Sequence, residues 1–110
     1  MPSFTIEELA ATIAARAQSG DPGSYTAKLA REGVAACARK LGEEALETMI
    51  AAIEGDRDHV TCEAADLIYH LLVLLQVTGV SLNDVKAELA RRTGQSGLAE
   101  KAARGAGGAG

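Results

Sequence analysis

Lys40-Leu41-Gly42-Glu43-Glu44-Ala45-Leu46-Glu47, followed after fifteen residues by Glu63-Ala64-Ala65-Asp66, decides the fold. Ala, Leu, Met and Ile fill the surrounding positions and no proline interrupts them, so both ends read as helix. At about 100° per residue, Glu44 and Glu47 lie roughly 60° apart on one face, and Glu63 and Asp66 repeat the spacing. Gly55-Asp56 supplies a stop and a turn between them. Two helices joined so briefly pack antiparallel, which lets the two acidic pairs face each other. Such a cluster repels itself unless a cation sits in it. Carboxylate oxygens suit a hard divalent ion, and the expectation is Mg²⁺.

The rest of the composition supports a small all-α domain. The chain has 110 residues, 47% of them apolar and only 3% aromatic, so Ala and Leu must do most of the packing. The net charge of −4 is uneven. Between Glu43 and Asp66 eight acids face Arg57 alone, which makes that window −7 and the remainder +3. No basic stripe with interleaved aromatics occurs, so a nucleic-acid partner is not expected. Cys37 and Cys62 are too few and too far apart for a disulfide framework, and both read as buried thiols in a reducing cytoplasm. No signal-peptide pattern opens the chain. The longest apolar run, Leu71 to Leu75, is short for a bilayer, and no membrane association is expected.

Taken in order, Thr5 with Glu8 three residues on forms a capping box, and Ile6, Leu9, Ile13 and Ala17 mark a first apolar stripe. Ser19 to Gly23 is a loop. Ser24 caps a short helix to about Arg31 that carries Lys28 and Arg31 at adjacent turns, and Gly33 ends it. A long helix follows from Val34 to Glu54, with Val34, Ala38, Leu41, Ala45 and Ala52 as core candidates. The next runs from about Arg57 to Thr78. From Leu67 to Val77 it is apolar nearly all round, which calls for burial on every side. A domain this small cannot enclose such a helix, so the expected architecture is an antiparallel helical bundle completed by dimerisation. Ser81 and Asp84 open another helix to about Thr93. Leu98 to Arg104 could add one or two turns. The domain is expected over residues 1–104, with a disordered Gly/Ala tail at 105–110.

Glu-Glu-x-x-Glu alone describes many solvated helix faces. Asp66 is more telling, because Asp is a poor mid-helix residue and its neighbours Ala64, Ala65, Leu67 and Ile68 are apolar. The full pattern, Glu-Glu-x-x-Glu and then Glu-x-x-Asp, resembles the all-α nucleoside triphosphate pyrophosphohydrolases, the MazG-like group. Within it the likeness is closest to the phosphoribosyl-ATP pyrophosphatases of histidine biosynthesis. Ser24 to Leu29, Lys40 to Glu44, Glu63 to Leu72 and Gly97 to Lys101 are each similar to a motif of that family, and the likeness as a whole covers about residues 4–104.

The resemblance implies Mg²⁺-dependent hydrolysis of 1-(5-phosphoribosyl)-ATP to 1-(5-phosphoribosyl)-AMP and pyrophosphate. By motif position it implies Glu44, Glu47, Glu63 and Asp66 as metal ligands. Glu43 is the candidate to position or deprotonate the attacking water, or else an ordinary surface carboxylate. Lys28 and Lys40 match motif positions and could contact phosphate, with Arg31 a further candidate; each could equally be a solvated helix cation. Lys101 and Arg104 could close over the substrate or fray as a terminus. His70 reads as a core residue, His59 as exposed, and Tyr25 as packing or stacking on a base. Two other readings stand beside this one. A MazG-like house-cleaning enzyme would act on unwanted nucleoside triphosphates, and a non-catalytic helical dimer would bind metal for stability.

Overall fold

Four helix starts are written in short polar side chains. Thr5 accepts from the N–H of Glu8 at 3.0 Å, Ser24 from Ala27 at 3.1 Å, Asp56 from His59 at 3.1 Å and Ser81 from Asp84 at 3.0 Å. Each bond satisfies a backbone donor that the first turn leaves without a partner. The computed structural model describes residues 3–94 and, among them, five α-helices and no strand. These are α1 (Ile6–Ala17), α2 (Tyr25–Glu32), α3 (Val34–Glu54), α4 (Arg57–Thr78) and α5 (Leu82–Thr93). The fold is all-α. The expectations for Leu98 to Arg104, for the motif at Gly97 to Lys101 and for the tail lie outside the described residues.

Among the described residues, those up to Val80 form one compact unit and those from Ser81, with α5, a second. In the first, α3 and α4 share the most extensive contact, as the two arms of a helical hairpin. Gly55, at φ 75°, makes the tight join possible, a left-handed conformation that an L side chain resists. The Asp56 N–H donates back to the Ala51 carbonyl. α1 packs on α2 and α4, and α2 on α3 and α4. Ile13, Ala27, Leu29, Cys37, Ala51, Leu72 and Val73 form the buried apolar core. In the second unit, α5 is braced on its surface by Glu88, which accepts from Arg91 Nη2 at 2.7 Å and from Arg92 Nε at 2.8 Å.

The face that α3 buries differs from the expected one. Val34 is 49% exposed, Ala38 and Ala52 are exposed, and Leu41 and Ala45 are only half-buried. The buried line runs instead through Cys37, Glu44 and Ala51. An alanine-rich helix has little apolar contrast between faces, so small shifts in rotation cost little. Here a carboxylate takes a packed position beside Ala45. Cys37 is buried, its thiol donating to the Leu29 carbonyl at 3.3 Å, but Cys62 is exposed, against the expectation that both are buried.

α4 is not covered on every side within one chain. His70, Leu72 and Val73 are buried, while Ile68 and Leu71 are 42% and 40% exposed. By length and composition alone α4 is also apolar enough to cross a membrane, which the short Leu71–Leu75 run did not suggest. It packs on α3 as one arm of the hairpin and carries Glu63 and Asp66 in mid-helix.

Candidate metal centre and the adjoining cleft

The hairpin brings acids from both of its arms together. One carboxylate oxygen from each of Glu44, Glu63 and Asp66 lies within 4.8 Å of the others. Glu44 is buried at 6% exposure, Glu63 is half-buried and Asp66 is exposed. Asp66 is therefore not enclosed by its apolar sequence neighbours as expected. On a helix those neighbours point elsewhere, and Asp66 shares the face of Glu63.

The electrostatics of the cluster are unfavourable without a cation. Glu44 Oε2 and Glu63 Oε2 are shielded from water and have no hydrogen-bond partner. The Glu47 carboxylate close beside it first, and then burial and the charge of Glu44, push Glu63 up to about 7. The same contact holds Glu47 below the usual carboxylate range. Burial first, and then Glu47, raise Glu44. Among the described residues the full cation beside them is Lys40, whose Nζ lies 3.7 Å from both Glu43 Oε1 and Glu44 Oε1. The neighbouring Tyr25 hydroxyl first, and then Glu43, Glu44 and Glu47, hold its ammonium above the ordinary range. His59 Nε2 stands 3.9 Å from Glu63 Oε1. One lysine cannot balance this many carboxylates. Orphaned hard oxygens from two helices fit a hard divalent cation, so the residues suit the metal that the sequence implied.

Beside this centre lies an open cleft of about 540 Å³. Arg16 borders it from the end of α1, Ser19 and Asp21 from the following loop, Tyr25 and Thr26 from α2, and Tyr69 from α4. Tyr69 follows Asp66 by one helical turn, so cleft and cluster adjoin along α4. Thr26, 3% exposed, has its Oγ1 2.5 Å from the Tyr69 hydroxyl. The Tyr25 and Tyr69 rings are 6.4 Å apart and 19° from parallel. His70 meets both edge-on. Burial lowers the His70 pKa, so it is a neutral core residue, as its sequence setting suggested.

The sequence-derived candidates thus divide. Glu44, Glu63 and Asp66 converge; Glu47 lies close enough to shift Glu44 and Glu63 but outside that group of three; Glu43 sits at the rim, half-exposed, paired with Lys40. Lys28 and Arg31 are exposed on α2 and border neither the cluster nor the cleft. Arg16 and the Thr26–Tyr69 pair escaped the sequence reading. So did the approach of His59 to Glu63, although their i, i+4 spacing on one helix was a usable signal.

A family model described as phosphoribosyl-ATP pyrophosphohydrolase matches residues 6–93. A phosphoribosyl-ATP pyrophosphatase of Nitrobacter winogradskyi is 62% identical over 94% of this chain and 90% of its own length. Phosphoribosyl-ATP pyrophosphatase 1 of Bradyrhizobium diazoefficiens is 58% identical over 94% of this chain and 98% of its own. A phosphoribosyl-ATP pyrophosphatase of Agrobacterium fabrum is 55% identical over 94% and 97%. With the carboxylates of its central motifs gathered in one place, the chain belongs to the phosphoribosyl-ATP pyrophosphohydrolase family.

Proposed function

We propose that this protein hydrolyses 1-(5-phosphoribosyl)-ATP to 1-(5-phosphoribosyl)-AMP and pyrophosphate, a step of histidine biosynthesis. The observation that carries the reading is 62% identity, over nearly the whole chain, to a relative bearing that activity in its name. Glu44, Glu47, Glu63 and Asp66 would hold Mg²⁺. When bound, the ion supplies neutralisation of the phosphate charge and acidification of water. Glu43 takes the proton of the attacking water as the α–β phosphoanhydride breaks and pyrophosphate leaves. Lys40, already among carboxylates, offsets part of the repulsion around Glu44 and lies where a phosphate oxygen could displace Glu43. Lys28 and Arg31, exposed on α2, would add longer-range attraction for the anionic substrate.

The working form in this reading is a homodimer in the cytoplasm. Leu46, Met49, Ile50 and Ile53 are between 46% and 83% exposed and fall at i, i+3, i+4 and i+7 on α3. They lie on the side of that helix opposite Glu44 and Ala51, so α3 would be sandwiched between its own α4 and a second copy. The free thiols Cys37 and Cys62 suit a reducing compartment. The test is pyrophosphate release from phosphoribosyl-ATP against ATP and dUTP. Strong preference for phosphoribosyl-ATP supports the assignment, and equal turnover of all three would move it to a house-cleaning role.

A further inference from the structure

The substrate assigned above has two anionic ends: the triphosphate and the 5-phosphate of the ribosyl arm on the base. The acidic centre and Lys40 deal with the first. The cleft alongside has the features needed for the second. Among the residues bordering it Arg16 is the only cation, and no carboxylate pairs with Arg16 among the described residues. Ser19 and Asp21 next to it offer a hydroxyl and a carboxylate; Asp21 spends one oxygen on the Gly23 N–H at 2.9 Å. A phosphate monoester matches a free guanidinium through paired, charge-assisted hydrogen bonds, and sugar hydroxyls match the remaining carboxylate oxygen. The wall between this polar end and Asp66 is aromatic, made by Tyr25 and Tyr69, and a base can stack there. From Asp66 through Tyr69 to Arg16, the surface runs from metal ligands to aromatic rings to a cation. The substrate has the same order: triphosphate, base, ribosyl phosphate.

Resting on the activity proposed above, we infer that this cleft is the subsite for the phosphoribosyl arm. Arg16 is the specificity-determining residue that separates phosphoribosyl-ATP from ATP.

The test uses the products, which lack the pyrophosphate and need no metal. Calorimetric binding of phosphoribosyl-AMP and of AMP is measured in EDTA for the full chain, Arg16→Gln and Arg16→Lys. Wild type should bind phosphoribosyl-AMP at least about tenfold more tightly than AMP, the worth of one charge-assisted contact. Arg16→Gln should bring the two ligands to within about twofold while leaving AMP binding unchanged, and Arg16→Lys should restore part of the preference. No preference in wild type, or a preference that survives Arg16→Gln, overturns the inference. Arg16 is exposed near the end of α1, so neither variant threatens folding, and equal melting temperatures confirm it. Pyrophosphate release by wild type from phosphoribosyl-ATP, run in parallel with Mg²⁺, reports separately on the activity itself.

Discussion

Thr26 Oγ1 and the Tyr69 hydroxyl lie 2.5 Å apart and pin α2 to α4 one turn beyond Asp66. Thr26 is 3% exposed, so its hydroxyl has little access to another partner once Tyr69 loses its own. Tyr69→Phe should therefore cost about 1–2 kcal/mol, by leaving a buried hydroxyl unsatisfied. Thr26→Val in the Tyr69→Phe background should cost much less than Thr26→Val alone, since the bond is already gone. Urea midpoints of the four proteins measure the coupling, and simple additivity would refute a direct bond.

Gly42 sits inside α3 with nothing within 4 Å of where a Cβ would stand. Gly42→Ala should raise stability by about 0.5–1 kcal/mol, because the helix gains propensity and meets no clash. A fall in the thermal midpoint would show that this surface is covered by something, a second copy included.

The exposed stripe on α3 leads to a test of assembly. Ile53, the most exposed of its residues at 83%, can be changed to Lys without disturbing the chain's own core. Wild type should scatter light as about twice the 11.3 kDa chain mass, and Ile53→Lys should shift toward the single chain with helix content unchanged. Leu72 is a poor site for this test, since at 5% exposure it belongs to the chain's own core. An Ile53→Lys protein as dimeric as wild type would place the interface elsewhere.

In α5, hydrogen bonds from Arg91 and then Arg92 hold Glu88 down to about 2. A depressed folded-state pKa stabilises above the ordinary value near 4.5 and loses that stabilisation as pH falls toward 2. Carboxyl NMR of Glu88 should show little titration between pH 5 and about 3, and Arg91→Ala with Arg92→Ala should return the midpoint to the ordinary range. A wild-type midpoint near 4.5 would mean the pairs are not held in solution.

The fold was legible where its cause is local. Thr5, Ser24 and Ser81 each bond a backbone N–H three residues ahead, and Gly55 and Gly79 each turn left-handed at a helix end. Such signals occupy a few consecutive residues and read directly from the chain. The rotation of α3 was not legible, because alanines surround it and the packed position went to Glu44. While Glu47 of the first pair lies outside their group, the approach of Glu44, Glu63 and Asp66 was legible from i, i+3 acidic spacing on a hairpin. The cleft was not, since it joins α1, α2 and α4, and Thr26 and Tyr69 are 43 residues apart. Nothing in the sequence near Arg16 announces that it faces residues so distant.

In the proposed mechanism the carboxylates shared by α3 and α4 hold a divalent cation used in releasing pyrophosphate. Asp66 is the most exposed of the three converging acids, so Asp66→Asn changes the charge with the least effect on packing. The decisive measurement is pyrophosphate release from phosphoribosyl-ATP by wild type and Asp66→Asn, in excess Mg²⁺ and in EDTA, with a thermal melt of each sample. Wild type should turn over only with Mg²⁺ and melt higher in its presence, through preferential binding to the folded state. Asp66→Asn should lose most of both effects, and in EDTA it should melt at or above wild type, because one repelling charge is gone. Full activity of wild type in EDTA, or an Asp66→Asn protein with undiminished activity and an undiminished Mg²⁺ shift, would contradict the account.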